Sequence, residues 1–247
     1  MEYELDLNLI NLVQVVFWFL AGAISFYFSI GNARIWTSIS IGFFLIFISQ
    51  AYLLNPWTEY HRVEVIHYII GTIAIMVMTH GFQEYYIFSR TLEVSGSKLK
   101  VYLATLLVIL ASVVFVYINP KPSFTVMRNI KMIENTCWVF LCLVNLDMIR
   151  KIYLQVRDSV IAKGFIAFGL VFVCIFLWKG AELYLQVYLW DKAWLDIVSF
   201  SNLTGEASDF ALYPDRINFS ILVHQVAGLL AGLSVGGTFI YLYRLLR

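Results

Sequence analysis

Apolar runs of bilayer length recur along almost the whole chain, and they leave little choice of fold. A hydrocarbon core about 30 Å thick is crossed by roughly 20 helical residues, and a backbone in lipid has to hydrogen-bond to itself. Seven such runs are read from the sequence: Leu9 to Ser29, Ile35 to Leu54, Val63 to Phe88, Val101 to Ile118, Ile130 to Gln155, Ile161 to Trp190 and Ile217 to Tyr243. They predict an all-α, polytopic membrane protein, with residues 1–247 forming a single seven-helix transmembrane bundle. The third, fifth, sixth and seventh runs exceed the minimum and are expected to tilt or to protrude as helix.

Composition closes off other classes. Of 247 residues, 61% are hydrophobic and 13% charged, a balance foreign to soluble domains. The formal net charge of +1 offers no field for a nucleic acid, so none is expected as a partner; the lipid bilayer is. Cys137, Cys142 and Cys174 stand in apolar segments without zinc-ligand spacing and read as buried small hydrophobes. The N-terminal MEYELDLN is acidic and lacks a basic n-region or a small-residue cleavage site, so the first run is expected to be retained as a span.

Lysine and arginine set the orientation. One set of connections, with the C-terminus, holds Arg34, Arg90, Lys98, Lys100, Arg150, Lys151, Arg157, Lys163, Arg244 and Arg247. The opposite set holds Arg62, Lys121, Arg128, Lys131, Lys192 and Arg216, while Lys179 lies within a span. Ten against six predicts the N-terminus outside and the C-terminus in the cytoplasm of a multi-pass cell-membrane protein.

Ionisable groups inside apolar runs are costly and usually face other helices or a wet cavity. On the third run, Glu64, His67, Gly71, Ala74, Met78, Gly81 and Tyr85 share one helical face, whose small residues predict a close-packing seam. The fifth carries Glu134, Trp138, Leu141, Asn145 and Met148 on one stripe, and the sixth carries Lys179, Glu182 and Gln186. Lys179 and Glu182, three apart, can pair as a structural bridge or form the charged wall of a site, the latter if Glu64, Glu134 or His224 reaches the same cavity. The candidate ligand-binding set in the outer half is therefore Glu64, His67, Glu134, Lys179, Glu182 and His224.

Gly228, Gly232 and Gly236 form a double GxxxG on the seventh run, a ridge for close helix contact within the molecule or with a protein partner or second protomer. His224 stands one turn outside Gly228, as His67 stands one turn outside Gly71. Two imidazoles at similar depth beside glycines can ligate a b-type haem, with Arg62 and Arg216 placed to pair with its propionates. His80 lies about 140° around the helix from His67, which disfavours a second haem.

No metal site is expected, because HxxxH and HExxH spacings are absent and His67 and His80 are some 20 Å apart along one helix. No catalytic residue is assigned: there is no nucleotide loop or nucleophile elbow, and no lysine on the seventh run for a retinal Schiff base. The connection from Asp191 to Arg216 mixes acids with Trp194, Ile197, Phe200, Phe210 and Tyr213 and could lie on the bundle; its Asn202-Leu203-Thr204 sequon carries no functional weight.

In span count and orientation the chain resembles the seven-helix membrane sensor regions found at the N-termini of some signalling proteins. Such regions pass a signal to a cytoplasmic output domain, whereas this sequence stops shortly after its last run, so the resemblance implies a separate partner. The expectation is a ligand-binding, sensory or accessory membrane protein acting with that partner. A haem-binding electron-transfer subunit and an ion-coupled transporter using Lys179, Glu182 and Glu134 are the alternatives.

Overall fold

A computed structural model describes residues 7–31, 35–52, 54, 61–91, 98–118, 123–159, 161–188 and 214–246. The described residues are helical apart from short turns, with seven helices: α1 (Leu7–Gly31), α2 (Ile35–Tyr52), α3 (His61–Thr91), α4 (Lys98–Ile118), α5 (Phe124–Val156), α6 (Ala162–Tyr188) and α7 (Pro214–Leu246). Five of them, α1, α3, α5, α6 and α7, are long and apolar enough to cross a membrane. The apolar parts of α2 and α4, Trp36–Tyr52 and Tyr102–Ile118, are shorter. The aromatic-rich connection before Arg216, with its sequon, lies outside the described residues.

Local chemistry marks the ends. Ser123 caps α5, its side chain accepting from the Val126 amide at 3.4 Å, and Pro214, which has no amide hydrogen to leave unsatisfied, opens α7. The amides of Ser159 and Ala162 bond back to the carbonyls of Val156 and Ser159, turning α5 tightly into α6.

Six helices close into a ring in the order α1, α2, α3, α5, α6, α7 and back to α1. Helix α4 lies outside it, mainly against α3. Skipping α4 makes α3 and α5 parallel neighbours, as paired contacts along their length record: Gly71 with Glu134, Thr79 with Asn145, Ser89 with Gln155. The predicted seam on α3 lies mostly against α2. A Cβ on Gly42 would stand 2.9 Å from that of Met78, and one on Gly81 would stand 2.7 Å from Ile39 Cγ1. Small residues therefore set this interhelical distance.

The two ends of the ring differ. Where α2, α6 and the C-terminal turns of α3 and α7 meet, Trp36, Tyr85, Phe165, Phe168 and Phe239 interlock, mostly edge-on though Trp36 and Phe168 are tilted at 37°, with Phe43, Phe82 and Phe172 behind them. Edge-to-face geometry suits the ring quadrupoles, and the cluster leaves this end packed with apolar side chains. The opposite end, at the start of α3 and α5, holds the buried charges.

Candidate functional site

The charged end is built from one short pattern used twice. Lys131 and Glu134 on α5, and Lys179 and Glu182 on α6, are both Lys-x-x-Glu, and the two helices run antiparallel. Antiparallel packing sets each lysine against the other helix's glutamate. Lys131 Nζ lies 2.6 Å from Glu182 Oε1, and Lys179 Nζ lies 3.3 Å from both Glu134 Oε1 and Glu182 Oε2. All four are buried, Glu134 to 1% exposure and Lys179 to 3%. Two positive and two negative charges cancel, which is what allows them to share a low-dielectric interior.

Amides extend the network. Lys179 Nζ also donates to Asn135 Oδ1 at 3.5 Å, Asn135 Nδ2 donates to Gln186 Oε1 at 3.1 Å, and Gln186 Nε2 donates to the Arg128 carbonyl at 3.1 Å. Aromatic faces complete the lysine environments: Lys131 Nζ sits 4.7 Å from the Tyr68 ring centre and Lys179 Nζ 5.0 Å from that of Trp178. Gly71 admits the carboxylate of Glu134 to α3, for any Cβ there would collide with Glu134 Oε1.

The two histidines border this network from opposite sides. His67 Nδ1 shares a 3.0 Å hydrogen bond with Ser49 on α2, and its ring stacks on Tyr52. His224 faces α6: Trp178 Nε1 donates to its Nε2 at 3.2 Å, and its Nδ1 donates to the Trp178 carbonyl at 3.3 Å. That pattern fixes the Nδ1–H tautomer and engages both ring nitrogens.

A b-type haem does not fit these residues. His67 on α3 and His224 on α7 occupy opposite positions in the ring, and Trp178 holds the nitrogen of His224 that would meet the iron. The space beside the glycines is filled: Gly71 faces Glu134, while a Cβ on Gly228 would stand 2.5 Å from Gln14 Nε2 and 3.1 Å from Trp178 Nε1. Arg216 lines a groove on the outer flank of α6 and α7 beside Tyr184 and Phe219. The alternative reading of bis-histidine ligation by His67 and His224 therefore finds no support in this geometry. Among the described residues, no group of three or more His, Cys, Asp or Glu is placed to hold a metal ion.

Of the expected site residues, the structure brings Glu134, Lys179 and Glu182 into direct contact and sets His67 and His224 at the margins. Glu64 and Arg62 lie on the first turn of α3, and their side chains fall outside the described residues. Lys131 is the residue that sequence reading assigned to a connection; it is buried and makes the shortest ion pair of the network. The recurrence of Lys-x-x-Glu on two neighbouring helices is the signal that identifies it.

Several polar atoms at this end have no hydrogen-bond partner among the described residues. Glu134 Oε2 is an unpaired acceptor, and Trp138 Nε1, one turn further along α5, is an unpaired donor. Gln14 Oε1 and Gln50 Oε1, on α1 and α2, are also unpaired. Buried polar groups are bonded in the great majority of cases, so an unpaired carboxylate oxygen inside an otherwise bonded network calls for an explanation.

The glycine ridge of α7 is engaged within the chain. A Cβ on Gly232 would meet Gln14 Cα at 3.2 Å, and one on Gly236 would collide with the Phe17 ring, so the ridge seats α1. Of the two uses the sequence allows for this ridge, the intramolecular contact is the one seen. No protein-family model matches the chain, and no curated protein or solved structure does either.

Proposed function

We propose that this chain is a seven-span membrane protein, with its N-terminus outside and C-terminus in the cytoplasm, that binds a small polar molecule in its outer half. Its role is sensory or accessory, exercised through a separate protein partner. The parallel packing of α3 and α5 supports seven crossings: two parallel neighbours joined through α4 require α4 to cross. The antiparallel pairs α1/α2 and α2/α3 require the same of α2. At 18 residues α2 is about 27 Å long, sufficient for a slightly thinned bilayer. The excess of lysine and arginine in the connections on the aromatic-packed side supports placing that side in the cytoplasm.

The observation that carries the ligand reading is the unpaired Glu134 Oε2 within a charge-neutral, fully buried network. With Trp138 Nε1 four residues on, it offers one acceptor and one donor on the same helix face, from backbone positions about 6 Å apart along the axis. This pair suits a small neutral or zwitterionic molecule that carries both a donor and an acceptor. The interlocked rings at the other end argue against an ion-coupled path through the bundle.

Thermal unfolding of the purified protein in detergent, across a panel of amino acids, polyols and small amides, tests this. A ligand at a hundredfold excess over its Kd stabilises by about 2.7 kcal/mol, and that gain should disappear in Trp138→Phe. No stabilisation by any compound, or equal stabilisation of both proteins, contradicts the reading.

A further inference from the structure

Helix α4 is splayed from the ring, and the wedge it leaves has the chemistry of a lipid site. Its C-terminal end is fixed where Val116 packs with Val65 of α3 and Met127 of α5. Its N-terminal half stands away from α3, leaving a groove of about 380 Å³. Ile73, Val77 and Val108 give this groove apolar walls, while Lys100, His80 and Thr105 supply its polar groups. Lys100 stands two residues from the start of α4 and is exposed, at the end of the wedge away from Val116.

The geometry points to an anionic glycerophospholipid as the occupant, with one acyl chain between α3 and α4 and the phosphate at Lys100; His80, whose Nδ1 faces Glu84 Oε2 at 3.7 Å and Ser38 Oγ at 3.4 Å, only borders it. Charge complementarity selects the headgroup: an ammonium on an apolar, membrane-facing groove attracts a lipid with net negative charge over a zwitterionic one. Its surroundings agree, because Lys98, Lys100 and Arg90 cluster in sequence about the connection between α3 and α4. The inference rests on the bilayer placement proposed above but not on the polar site in the other half of the bundle.

Native mass spectrometry of the whole chain, released from detergent with equimolar phosphatidylglycerol and phosphatidylcholine of identical acyl chains, tests the assignment. The wild type is expected to retain phosphatidylglycerol preferentially, and Lys100→Gln to reduce that preference about fivefold, the factor contributed by one basic residue near an anionic surface. Lys151→Gln, whose ammonium already pairs with Asp147 at 2.6 Å, should leave it unchanged. Ala104→Trp, which fills the wedge, should reduce retention of both lipids, and millimolar inorganic phosphate should not compete. Equal retention of the two lipids by the wild type, an unaltered preference in Lys100→Gln, unaltered retention in Ala104→Trp, or competition by phosphate would each overturn the assignment. Retention of neither lipid would also overturn the assignment, whereas the bilayer placement fails separately, in a topology assay.

Discussion

At the scale of residues, four buried charges pair with one another completely except for one oxygen, Glu134 Oε2. Removing one member of a buried ion pair leaves its partner uncompensated, which typically costs about 3–5 kcal/mol. Lys131→Met is therefore expected to destabilise the protein to that extent, and Glu182→Gln comparably. The double variant should lose less than the sum, with a coupling of about 1–3 kcal/mol in denaturant unfolding, because Lys131 and Glu182 stand 2.6 Å apart. Additive losses would show that the pair is not formed. The sequence made Glu134, Lys179 and Glu182 legible because charges within apolar runs stand out. Lys131 was obscured because it begins an apolar run, where a lysine ordinarily extends to the interface. The histidines misled for a related reason: depth along a helix is readable from position, but Trp178 and Ser49 are brought to them by neighbouring helices.

At the scale of elements, the helices were readable and their partners were not. Apolar runs located every helix to within about three residues except at the start of α5, which begins six residues earlier than expected, at Phe124. Which face of α7 meets which neighbour depends on the register of distant segments, so the glycine ridge pointed to close packing without naming α1. Gly236 and Gly237 make a direct comparison. A Cβ on Gly236 collides with Phe17, whereas one on Gly237 meets nothing within 4 Å. Gly236→Leu is expected to destabilise by about 1–3 kcal/mol through overpacking, and Gly237→Leu to be close to neutral. Equal melting temperatures for the two variants would show that α1 does not seat there. The exclusion of α4 from the ring was likewise hidden, because its apolar residues have no face-to-face asymmetry that separates lipid from protein; Leu103, Leu106, Leu107, Leu110 and Val114 are all exposed.

At the scale of the whole molecule, a six-helix ring carries an aromatic plug at one end and a neutral, buried charge network at the other. The parallel pairs α3/α5 and α1/α7 make that arrangement depend on the number of crossings, for if α4 returned to the side from which it came, α3 and α5 could not run parallel. The network would then be dismantled, since Gly71 would no longer face Glu134. The most direct measurement is a paired topology assay on the two connections that flank α4, with a reporter placed in residues 92–97 and, separately, in residues 119–122. The expected result is opposite sides: residues 92–97 in the cytoplasm and residues 119–122 outside, adjoining the charged end. Both reporters on one side would contradict the ring, and residues 119–122 in the cytoplasm with 92–97 outside would place the charge network in the inner half, contrary to the proposed site.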